Sequence, residues 1–86
     1  MPVDVVECRV VGGHRLWLCF DDGTAGEVDV AALVPFRGVF AVLAEPEEFA
    51  KVRVDAELGT VVWPSGADLD PDVLHARITG RSLEAA

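Results

Sequence analysis

Two closely spaced turn signals, Gly12-Gly13 and Asp22-Gly23, constrain this chain more than any other feature. Between them Leu16, Leu18 and Phe20 alternate with Trp17 and Cys19, the period of two expected of a sheet with two different faces. Asp-Gly beside such a segment is a strong hairpin signal, because the tightest hairpin turns need residues that tolerate positive φ. The spacing predicts a three-stranded antiparallel meander over residues 3–11, 14–20 and 24–30.

The remainder alternates short helices with a second hairpin. In "AALVPFRGVF" a proline and a glycine limit residues 31–34 to one helical turn. "AVLAEPEEFAKV" reads as one or two short helices, with Pro46 at a first helical position, Glu47 and Glu48 at the positive end, and Phe49 inward. Residues 52–55 and 60–63 form a hairpin around a turn at 56–59. Asp70 then caps a helix that has Pro71 at its first position, runs to Thr79 and ends at Gly80. Arg77 in its last turn complements the helix dipole, and Val73, Leu74 and Ile78 make its packed stripe. The predicted fold class is α+β: about five strands as two hairpin units in one curved antiparallel sheet, short helices, and the C-terminal helix packed on the sheet. Residues 1–80 form one domain and 81–86 a frayed tail.

An apolar fraction of 51 % in 86 residues argues for a packed core with apolar surface left over for a partner. Fifteen acidic against seven basic residues give a net charge of −8. Nucleic-acid binding replaces phosphate counterions with lysine and arginine, so direct DNA or RNA binding is not expected. A basic protein partner suits the charge, which also keeps a small apolar protein soluble. No apolar run approaches the roughly 20 residues that span a bilayer. "MPVDVVECRV" has acids where a secretory leader needs bases. The expected location is cytoplasmic, with no membrane contact.

The chemistry-bearing residues read as architecture. A hairpin at Gly12-Gly13 puts Val6, Cys8 and Val10 on the face of Leu16, Leu18 and Phe20, and Cys19 on the opposite face. Cys8 is then a small core residue, and the two thiols cannot meet across the pleat. Asp68, Asp70 and Asp72 imitate the start of a calcium loop. The required glycine and glutamate are replaced by Val73 and Thr79, so the pattern fails. Asp70 is read instead as the cap, Asp72 as a first-turn acid, and Asp68 as an acceptor for loop amides. Ser65 in "WPSGA" lacks the second glycine of a nucleophile elbow. His14 and His75 have no partner at ligand spacing. No catalytic residue, metal or cofactor is expected. Trp17, Cys19 and Trp63 are the candidate interaction surface.

"HRLWLCFDDGTAGEVDV", "FRGVFAVLAEPEEFAKVRVD" and "GTVVWPSGADLDPDVLH" together resemble the small bacterial domain-of-unknown-function family 2442. The resemblance runs from about Val3 to His75. It rests on Phe20, Gly23, Asp29, the Gly38-Val39-Phe40 triplet, and the run through Trp63, Gly66, Asp68, Asp70 and Pro71. Ser65 stands where the family usually has asparagine, and His14 and His75 where it often has tyrosine. The resemblance implies a compact α+β fold, like the N-terminal domain of a nitrifying-bacterium protein in which it precedes a helix-turn-helix domain. It also implies neighbouring genes paired in the manner of toxin–antitoxin operons, and it carries over no established enzymatic activity. The expected function is thus a protein-interaction module, antitoxin-like, with a small basic partner encoded nearby. The alternative is a small-molecule-binding or regulatory domain using the loop after Trp63. A homodimer is also expected at micromolar concentration, through the edge of the first strand or across the Trp17 face.

Overall fold

The alternating segments pair as an antiparallel meander in the computed structural model, which describes residues 3–80. Strands β1 (Val5–Gly12), β2 (Arg15–Phe20) and β3 (Ala25–Asp29) lie side by side in the order β1-β2-β3. The predicted tail at 81–86 lies outside the described residues. Cys8 faces Leu18 and Arg9 faces Trp17 across β1 and β2, while Cys19 sits opposite Glu7. The two cysteines therefore occupy opposite faces, as the alternation required, and both are free thiols.

Two details depart from a regular pleat. The register slips between Val10 and Gly12 and again between Val5 and Glu7, and at the latter Val5 rather than Val6 enters the core. Val5 is 2 % exposed and Val6 51 %. Cys8 lies on the core side but is only half-buried at its margin.

The second hairpin, β4 (Arg53–Asp55) with β5 (Thr60–Val62), forms a separate two-stranded sheet. This corrects the expectation of one curved five-stranded sheet. A bulge twists its strand and interrupts pairing. Among the described residues one backbone bond, Val5 N–H to the Gly59 carbonyl at 2.8 Å, joins the two units beside the irregularity at Val6.

Helical segments fill the remaining space. Asp29 caps α1 (Val30–Leu33), its carboxylate accepting the Ala31 N–H at 3.1 Å. A 3-10 helix spans Gly38–Ala44, entered through Gly38 at φ 63°. Next comes α2 (Pro46–Phe49), with Pro46 at its first position and Glu47 and Glu48 in its first turn. Helix α3 (Pro71–Thr79) begins at Asp70, which accepts the Asp72 N–H at 2.8 Å, and ends at a left-handed Gly80. The core is one cluster, including Leu16, Leu18, Phe20, Leu43, Phe49 and Leu74.

The stripe of α3 differs from expectation. Leu74 is fully buried and Ile78 packs at the core margin, but Val73 is 38 % exposed. With 3.6 residues per turn, Val73 and His75 lie about 100° to either side of Leu74. His75 takes the inward shoulder because it finds a ring and a carboxylate there, and Val73 is left on the outer one. Ile78 lies against Gly26 of β3, where a Cβ would come 2.7 Å from the Ile78 Cγ2. That close approach is what the glycine permits.

Candidate functional site

The stretch from Trp63 to Asp70 is a tight turn followed by a short return. Trp63 accepts the Gly66 N–H through its carbonyl at 3.0 Å and donates its own N–H to the Ala67 carbonyl at 2.9 Å. Gly66 takes φ 95°, a conformation that glycine adopts without steric cost. Ser65 donates its hydroxyl to the Val39 carbonyl at 3.0 Å, tying this turn to the 3-10 helix.

Trp63 itself is 3 % exposed, and its indole N–H donates to the Phe49 carbonyl at 2.9 Å. It is a core residue, so its place in the expected interaction surface is withdrawn. Asp68 contributes backbone instead of the expected side-chain acceptor: it bridges to Val62, and among the described residues its carboxylate receives no hydrogen bond. The reason is orientation. Ala67 and Leu69 are buried, which leaves Asp68 between them facing out.

A groove opens beside this return. Leu33, Val34 and Phe40 form one wall; Leu69, Val73 and Leu74 form the other. Asp68 and Asp70 stand at its rim, and the volume is about 160 Å³. Asp70 has one carboxylate oxygen engaged in capping, so the rim keeps net negative charge. Val73 and Leu74 are in the packed stripe that the sequence predicts for α3. The groove was not legible there, because its other wall comes from α1 and the 3-10 helix.

On the opposite face of the meander, Trp17 and Cys19 are half-buried. The Arg9 guanidinium lies 4.5 Å from the centre of the Trp17 ring, a cation–π contact that covers part of the indole. Cys19 points its thiol at the Phe20 carbonyl, 3.7 Å away. Glu7, Arg9, Arg15 and Glu27 on the same face are exposed, so the surface around Trp17 is charged.

The histidines are positioned by long-range contacts that spacing did not reveal. His14 Nε2 lies 3.2 Å from the Ala44 carbonyl, and its ring meets Phe36 and Phe49 edge-on. A carbonyl only accepts, so this nitrogen carries the proton. His75 Nε2 is 2.8 Å from Asp22 Oδ2, and its ring stands edge-on to Phe20. Ser65 and His75 are thus held by different partners. Among the described residues no three His, Cys, Asp or Glu side chains gather as metal ligands would, and no helix is long and apolar enough to cross a membrane.

These elements define a small α+β domain: a three-stranded meander and a two-stranded hairpin closed by short helices. The chain belongs to the family described as Protein of unknown function (DUF2442), whose model matches residues 5–80. No curated protein matches the chain, and no solved structure does.

Proposed function

We propose that this domain is a protein-interaction module that takes a basic, partly apolar segment of a small partner protein into the groove beside α3. The observation that carries this reading is the pairing of an apolar floor with a rim of Asp68 and Asp70. Leucine or phenylalanine side chains of the partner bury against Phe40, Leu69 and Val73, and lysine or arginine beside them meets the two carboxylates. The net charge of −8 draws such a segment in from a distance. In this reading no residue is catalytic, the location is cytoplasmic, and the partner is the product of an adjacent gene, the acidic domain serving as the antitoxin-like half.

A small-molecule site in the same place is the second reading, favoured by Asp68 and Asp70 lying in the loop after Trp63. Its weakness is size: ligand pockets usually measure about 300–1,000 Å³, against about 160 Å³ here. One or two side chains of a peptide fit that space.

Co-expression with a basic protein encoded beside this gene, followed by pull-down, tests the proposal. Val73 is exposed on the groove wall, so Val73→Arg should place a cation at the rim and abolish capture while the melting temperature stays close to wild type. If the neighbouring product is neither basic nor retained, the antitoxin-like reading fails. Retention equal in wild type and Val73→Arg would remove the groove from the interface.

A further inference from the structure

Strand β1 is an edge of its sheet. Among the described residues its backbone bonds outside the ladder with β2 only at Val5. From Glu7 onward the edge is open. Val10 and Val11 on it are 40 % and 45 % exposed; Glu7, Arg9 and the irregularities at the two ends of the strand are its protections, and it contains no lysine or proline.

The open segment has a self-complementary order: Val6-Glu7-Cys8-Arg9-Val10. We propose that two copies of this chain pair antiparallel through β1 about a two-fold axis at Cys8, extending the meander into a six-stranded sheet. A two-fold axis perpendicular to a sheet keeps each side chain on its own face, so the axis must pass midway between the two copies of one residue. An axis at Glu7 sets it against the partner's Glu7, and an axis at Arg9 sets it against the partner's Arg9. Like charges directly opposite destabilise a pair of strands. The axis at Cys8 sets Glu7 against the partner's Arg9 twice, and brings Val6, at the irregularity of the strand, beside the partner's Val10 twice. Of the axes along this strand, it is the one that pairs opposite charges.

Shape supports the same register. A cleft of about 270 Å³ opens between the start of β1 and the second hairpin, with Val5, Val6 and Val54 in its lining. Pairing about Cys8 brings the partner's Val10 to that end of the strand, so an exposed valine on each copy meets apolar surface on the other. The net charge of −8 on each copy opposes association, and salt screens that repulsion. The dimer uses none of the groove residues beside α3, so it stands or falls independently of the partner proposed there.

Sedimentation equilibrium at low and high salt, with charge exchange, tests the pairing. Glu7→Arg and Arg9→Glu should each weaken the dimer about tenfold or more by creating like-charge pairs, and the double exchange should restore it. Because Arg9 also packs on Trp17, a second measurement avoids the charges. In a Cys19→Ser variant the axis brings two Cys8 thiols together on one face, at a strand separation that a disulfide spans. Diamide, accepting two electrons and two protons from the thiol pair, should give a covalent dimer. A monomer at both salts up to high micromolar protein overturns the proposal. So does a dimer indifferent to the single exchanges, or one that Cys8 fails to cross-link.

Discussion

His75 on α3 and Asp22 in the turn between β2 and β3 are 53 positions apart, yet Nε2 and Oδ2 meet at 2.8 Å. The contact pins the C-terminal helix to the second turn of the meander. The same carboxylate accepts the Thr24 N–H at 2.9 Å. The Thr24 amide first, then His75, hold the Asp22 carboxyl below the usual range.

That depression fixes a sign. Where the unfolded chain binds a proton more tightly than the native one, stability falls with falling pH. The contribution of Asp22 is complete above the ordinary carboxylate range, near pH 3.9, and is lost as pH drops through its lower native value. Urea denaturation between about pH 5 and pH 2 should show the advantage of wild type over Asp22→Asn shrinking on acidification. An advantage constant over that interval would contradict the assignment.

Asp70→Ala should cost about 1 kcal/mol, the usual value of an N-cap, because the Asp72 N–H loses its acceptor. Asp68→Ala makes a matched control, since the Asp68 carboxylate holds no amide. Equal losses in the two variants would show that general loop polarity, rather than capping, is being measured.

Gly26→Ala should destabilise by about 1–3 kcal/mol, the range for overpacking a filled site. The added methyl meets Ile78 at 2.7 Å. Combining it with Ile78→Ala should return part of that loss, so the double variant is less destabilised than the sum of the singles. Strict additivity would mean that the strand and helix are further apart than described.

The two indoles should differ in solution. Trp63 is 3 % exposed, whereas Trp17 is half-buried on an outer face. Acrylamide should quench the Trp17→Phe variant weakly and the Trp63→Phe variant strongly. Trp63→Phe should also lose about 1 kcal/mol through its missing hydrogen bond. The loss stays modest because the Phe49 carbonyl also accepts the Val52 N–H, at 3.3 Å.

Burial pushes the Cys8 thiol up from its ordinary pKa, which lowers the reactive thiolate fraction. Alkylation of native protein at pH 8, followed by peptide mass analysis, should modify Cys8 more slowly than the same residue in urea. Both cysteines should react fully once unfolded.

The local half of this structure was legible residue by residue. Alternation around Leu16, Leu18 and Phe20 set the two faces of β2. Gly12-Gly13 and Asp22-Gly23 placed the turns, and Asp70, Pro71 and Gly80 bounded α3. Each depends on backbone preferences and pattern within a few residues, so the sequence carries the information directly. Three features needed tertiary structure. The slip at Val6 lies where β1 meets both β2 and the second hairpin, and that hairpin pairs as a sheet of its own. Val73 and His75 flank Leu74 equally on the helix, and only the distant Asp22 and Phe20 decided which of them turned inward. Trp63 was a surface candidate because a tryptophan's chain position does not reveal what lies above it, and α2 supplied the carbonyl that fixed it in the core. Short-range order follows from what each residue allows its own backbone; inside and outside are settled where segments far apart in the chain compete for the same space.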